Sequence, residues 1–182
     1  MKPLGITLLL GVAVVTTAAL FVLLGVFDVA ADVPHSDIVR TALELVRERS
    51  IAARAKDIRV PALDDRKSIE DGARHYAEMC VGCHLSPDRR ASELRDGLYP
   101  KPPDLTARIQ VAPAEEFWVI KHGIKMSAMP AWGATHDDKA IWAIVAFLQT
   151  LPELSPERYQ ALTATGTEAH HHHHDSHRED SE

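Results

Sequence analysis

Residues 80–84 read Cys80-Val81-Gly82-Cys83-His84, and the reading of this run decides the fold. On a helical turn, positions i, i+3 and i+4 project from one face, so both thiols and the imidazole point the same way. Covalent haem attachment needs that arrangement: two thiols add across two vinyl groups while an imidazole on the same side binds iron. The spacing is the signature of c-type haem attachment. Rival chemistries want other surroundings. A thioredoxin-like redox pair sits in a βαβ context, and strand-like alternation is absent from the sequence. A structural zinc site needs four ligands, usually including a second Cys or His pair. Cys80 and Cys83 are therefore the expected attachment points of one haem c, and His84 its proximal iron ligand.

The bulk composition fits a folded domain with appended segments, at 182 residues, 46% hydrophobic and 25% charged. A formal charge of −6 speaks against nucleic acid, which selects a basic face. From Thr167 onward, five acids (Glu168, Asp175, Glu179, Asp180, Glu182) stand against Arg178 alone. That tail contributes −4 and leaves −2 for the rest. The two cysteines lie three positions apart, which excludes a framework of structural disulfides.

Leu4 to Phe27 is a run of twenty-four residues without a charge. As a helix it would span roughly 36 Å, enough to cross a hydrocarbon core of about 30 Å with some tilt. Val29-Ala30-Ala31 offers a peptidase small residues, but secretory apolar regions run only about 7–15 residues. The reading favoured is a retained transmembrane anchor over 1–32. Lys2 precedes the span and Asp28 and Asp32 follow it, which places the body outside the cytoplasm, in the periplasm. Residues 33–65 read as a stalk and linker: a helix capped by Ser36 runs to about Ile58, with Val39, Leu43 and Val46 on one side, and Val60 to Asp65 breaks it. The globular part, 66–155, is all-α. It opens with a capping-box-like Ser68-Ile69-Glu70-Asp71 and passes into the cysteine pair. A loop rich in Pro, Asp and Arg follows over 85–109, then a helix from Ala114 to His122 ended by Gly123. A last helix starts near Thr135 and stops before Pro152. Residues 156–182 form a His-rich acidic tail, of low complexity from about Thr163 and expected to be disordered.

The sixth iron ligand has to come from well downstream, where Met126, Met129, His122 and His136 are the candidates. Met129 is favoured because Pro130 stiffens the loop behind it, so its sulfur is presented at little ordering cost. Core packing is the plainer role for Met79 and Met126. Propionate donors are available in the flanking loops as Tyr99, Lys101, Arg95 and Trp132.

The segments GARHYAEMCVGCH, KPPDL, HGIKMSAMPAWG and DKAIWAIVAFLQTLP resemble the class I c-type cytochromes. The likeness is greatest to the single-haem domains of bacterial terminal-oxidase subunits and related membrane-bound carriers. It covers about residues 66–152 and leaves out the stalk and the tail. The resemblance implies that Gly72 and Tyr76 on the first helix cross the last helix against Trp142, Val145 and Ala146. It implies that the Pro103 carbonyl accepts a bond from the proximal imidazole, and it supports Met129 as the axial sulfur. Two positions depart from the pattern. Leu85 stands where relatives often have Gly, and Phe147 where many have Tyr.

Filled His84/Met129 ligation leaves no place for substrate at iron, and thioether sulfur raises the potential. The expected role is that of a membrane-anchored periplasmic electron carrier and not an enzyme. Its partners would be a quinol-oxidising complex, a dehydrogenase or a terminal oxidase, with membrane lipid around the N-terminal helix. Two other readings stand beside it. His170 to His174 and His177 suit copper, nickel or zinc, so the tail is a candidate divalent-metal module. A haem sensor or peroxidase would need the sixth ligand to leave.

Overall fold

The computed structural model describes residues 3–107 and 111–164. Among them every regular element is a helix, and the nearest thing to a strand is an isolated antiparallel bridge between Ser86 and Arg89. The helices are α1 (Pro3–Leu23), α2 (Asp37–Ala55), α3 (Arg66–Met79), α4 (Val81–His84), α5 (Glu93–Asp96), α6 (Pro113–His122), α7 (Asp138–Leu148) and α8 (Pro156–Ala164), with 3-10 turns at Trp132–Ala134 and Leu151–Glu153. The all-α expectation holds. The His-rich run and its metal-binding reading lie outside the described residues.

The chain divides at His35 into two compact units. The first contains α1, which spans about 32 Å at 1.5 Å per residue. It is long and apolar enough to cross a membrane, a test that a signal sequence near the N-terminus also passes. Its last turn ends before Gly25, which takes a left-handed φ of 62°.

The second unit is built around α7. Asp137 caps that helix, its carboxylate accepting from the Ala140 N–H at 2.8 Å. Ile141 and Ala143 to Phe147 are all buried, so α7 is apolar on nearly every side. Helices cover it from two directions. On one side α3 presents Gly72, Ala73 and Tyr76, spaced to share a face. A Cβ placed on Gly72 would lie 1.9 Å from the Ala143 carbonyl oxygen, so the two backbones touch where they cross. Tyr76 packs beside Phe147, their ring centres 5.3 Å apart, in a cluster with Ala73, Leu151 and Tyr159.

On the other side, Phe117 and Ile120 of α6 meet Ile141, Ile144 and Val145. Trp142 belongs here. It stacks on Phe117 at 4.2 Å and 17°, so the residues facing Gly72 are Ala143 and Ile144, not the Trp142 of the expected crossing. One step along a helix turns a side chain by about 100°, which is enough to change its partner. Lys121 closes this side with an ion pair to Asp138 at 2.6 Å. Glu116 accepts from Gln149 Nε2 at 2.7 Å, and burial pushes its carboxyl up to about 7.

Several boundaries differ from the sequence reading: α2 ends at Ala55 rather than about Ile58, and α7 begins at Asp138 rather than near Thr135. Asp65, not Ser68, caps α3, its carboxylate accepting from the Ser68 N–H at 2.8 Å. Residues 156–164, placed in the tail by composition, instead form α8. Pro156 suits a first helical turn, and Tyr159 is buried against the Tyr76–Phe147 cluster.

Gly72→Ala drives a methyl group into the Ala143 carbonyl and forces α3 and α7 apart. We expect it to destabilise the domain by about 3 kcal/mol, read as a lowered urea midpoint.

Candidate haem site

Cys80 ends α3 and begins the single turn of α4. The amides of Cys83 and His84 both donate to the Cys80 carbonyl, at 3.1 and 2.8 Å. The two cysteines are free thiols, both half-buried. Burial pushes the Cys80 thiol up to about 12, with Cys83 adding to the rise.

His84 is held to residues 103–105 by two hydrogen bonds. Its Nδ1–H donates to the Pro103 carbonyl at 2.9 Å. A carbonyl can only accept, so Nδ1 carries the proton and Nε2 keeps a lone pair for a metal. The Leu105 N–H donates to the His84 carbonyl at 3.2 Å. Asp104 braces this turn, accepting from the Thr106 amide at 2.9 Å and the Thr106 hydroxyl at 2.7 Å. Burial lowers the imidazole pKa against the pull of the Pro103 bond, and the Arg95 charge lowers it further. Arg95 Nε itself donates to the Pro102 carbonyl at 3.0 Å, one residue before that acceptor.

Tyr76 supplies an anchor that sequence reading missed. Its hydroxyl donates to the Leu85 carbonyl at 2.7 Å, tying the turn after His84 to the α3/α7 core. Leu85 takes φ 66° and ψ 178°, a region that essentially only Gly occupies. Its side chain is buried at 4% exposure. The departure noted in the sequence therefore keeps the backbone of a glycine and adds a side chain to the core.

Met129 lies at the end of a loop that Gly123 makes room for. Gly123 has φ 65°, and a Cβ there would come within 2.8 Å of backbone atoms of Met129, Pro130 and Ala131. The Ile124 N–H donates to the Met129 carbonyl at 3.1 Å. The Ser127 hydroxyl bridges the loop, donating to the Ile124 carbonyl at 2.8 Å and accepting from the Met129 N–H at 3.2 Å. Met129 and Trp132 pack against the Phe117–Ile144 cluster. Met126, by contrast, is 97% exposed.

The other candidates are dispersed. His122 is exposed beside Trp118 at 5.0 Å, and His136 bonds Thr135 through Nδ1 at 2.9 Å with Trp132 and His75 against its ring. Lys101 pairs with Asp96 at 2.6 Å. Tyr99 is half-buried ahead of a cis bond to Pro100. Among the described residues no three His, Cys, Asp or Glu side chains gather as a metal site.

Residues 67–148 match the family model described as cytochrome c oxidase, cbb3-type, subunit III. These residues are a class I c-type cytochrome domain. The match runs from α3 through α7 and leaves α1, α2 and α8 outside it. No curated protein matches the chain. Cytochrome domains of this family bind haem c, and the donor set here fits one: two unpaired thiols and a free imidazole nitrogen on one turn, with a thioether half-buried on a rigid loop.

Leu85→Ala keeps the strained backbone and discards the buried side chain, whereas Leu85→Gly also releases the strain. Both variants lose about 2–4 kcal/mol of packing. Gly should recover about 1 kcal/mol of that, so thermal unfolding should find the glycine variant the more stable of the two.

Proposed function

We propose that the chain is a membrane-anchored periplasmic electron carrier. Cys80 and Cys83 would hold one haem through thioethers, with His84 Nε2 and Met129 Sδ as the protein ligands to its iron. When bound, haem c supplies an iron centre that takes up and releases one electron. The remaining work belongs to the chain. Pro103 keeps the imidazole in one tautomer and one orientation, the kind of support that tunes a metal ligand. Tyr76 and the Leu105 amide hold the backbone on either side of that interaction. Gly123 and Ser127 seat Met129 before any ligand arrives, so little ordering cost attends its binding.

The observation that carries this reading is the contrast between the two methionines of the loop. Met129 is packed against the core and braced by three loop hydrogen bonds, whereas Met126 stands in solvent. A carrier needs a coordination sphere that does not rearrange as the iron changes charge, and a braced thioether meets that need. The donor would be a quinol-oxidising complex or a dehydrogenase and the acceptor a terminal oxidase, in line with the oxidase-subunit family of the domain. A retained α1 would hold the domain at the outer face of the cytoplasmic membrane.

Met129→Ala should remove the weak red charge-transfer band of sulfur-ligated ferric haem. It should also let reduced protein bind carbon monoxide, while Met126→Ala changes neither. A full-strength band in Met129→Ala protein takes Met129 out of the site.

A further inference from the structure

Helix α2 is amphipathic, and its apolar side is turned away from the domain it packs on. The helix lies against α6, and its least exposed side carries Glu44, Arg47, Ile51 and the buried Ala55. At about 100° per residue, Ile38, Val39, Ala42, Leu45 and Val46 fall on the opposite side, with Leu43 at its flank. They stand open, with Ile38 84% and Val46 66% exposed. The polar side of the same half is already self-satisfied, since Arg40 pairs with Asp37 and Glu44 at 3.2 and 3.1 Å. A helix gains nothing by offering such an aliphatic stripe to water, which costs about 25 cal/mol per Å².

We infer that this stripe lies in the membrane surface, so that α2 rests in the lipid headgroup–acyl boundary. The inference depends on α1 being a retained anchor. Three observations select lipid. Residues 24–36 join α1 to α2, and thirteen residues reach at most about 45 Å, which leaves the first turn of α2 within reach of a bilayer that α1 crosses. The open apolar residues are confined to the half nearest that tether, 38–46, whereas Ala55 and Ile58 further on are given to the cytochrome core. Arg40 and Arg47 are taken up in ion pairs with the helix's own three acids, which leaves the exposed Arg49 and Arg54 to meet anionic headgroups. A second copy is a weaker occupant, because six side chains fall far short of the roughly 20–30 residues a side of a stable interface.

The test uses the full haem-loaded chain in nanodiscs of phosphatidylethanolamine and phosphatidylglycerol. A photoreactive benzoylphenylalanine replaces Leu45, Leu20 of α1, or Arg40 on the polar side, and adducts are identified by mass. Phospholipid adducts at Leu45 and Leu20, with none above background at Arg40, are expected. Lipid adducts at Leu20 with none at Leu45 overturn the inference and leave the anchor standing. A covalent dimer through Leu45 also overturns it, in favour of a second copy. No lipid adduct at Leu20 overturns the anchor itself, and the inference with it.

Discussion

The backbone contact between Gly72 and Ala143 is the constraint on which the rest of the domain depends. Bringing α3 onto α7 without an intervening side chain sets Tyr76 deep enough to reach past the helix end and hold the Leu85 carbonyl. That bond anchors the turn carrying His84. The same helix α7 turns Trp142, Ile141 and Val145 to the other side, where α6 packs and ends at Gly123, the residue that admits the Met129 loop. The two expected iron ligands thus hang from opposite sides of one apolar helix. Loosening the crossing would reach both of them.

The proximal side shows how local strain is sustained. Leu85 occupies a backbone region that costs of order 1–3 kcal/mol for a residue with a side chain. Complete burial of a leucine returns about 1.5–3 kcal/mol, and the Tyr76 hydroxyl bonds the carbonyl of the strained residue itself. Burial and the hydrogen bond together hold a conformation that the residue would not adopt alone.

Much of this was legible in the sequence because the chemistry of a covalent cofactor leaves local marks. Five consecutive residues mark the candidate haem turn, and Pro130 after Met129 marks a stiff loop. The helix of residues 113–122 and its glycine stop were readable from position alone. What was not legible depended on long-range packing. Whether Trp142 or Ala143 faces Gly72 is a matter of one position on a helix, decided by which neighbour is close enough to touch. Tyr76 reaching Leu85 leaves no periodic signal. Helix α8 was lost in a compositional reading of the tail, since its one buried aromatic, Tyr159, finds its partners only after the core has formed. The stalk was read as amphipathic, but not that its apolar side would turn outward.

The proposed carrier rests on one haem bound covalently by Cys80 and Cys83. Intact mass spectrometry of the full chain, expressed with a haem-attachment system and denatured in acidified organic solvent, tests it most directly. The polypeptide mass should be raised by one haem, and the increment should be lost when Cys80 and Cys83 are both replaced by Ala. A bare polypeptide, with haem absent or extracted into the solvent, would contradict it.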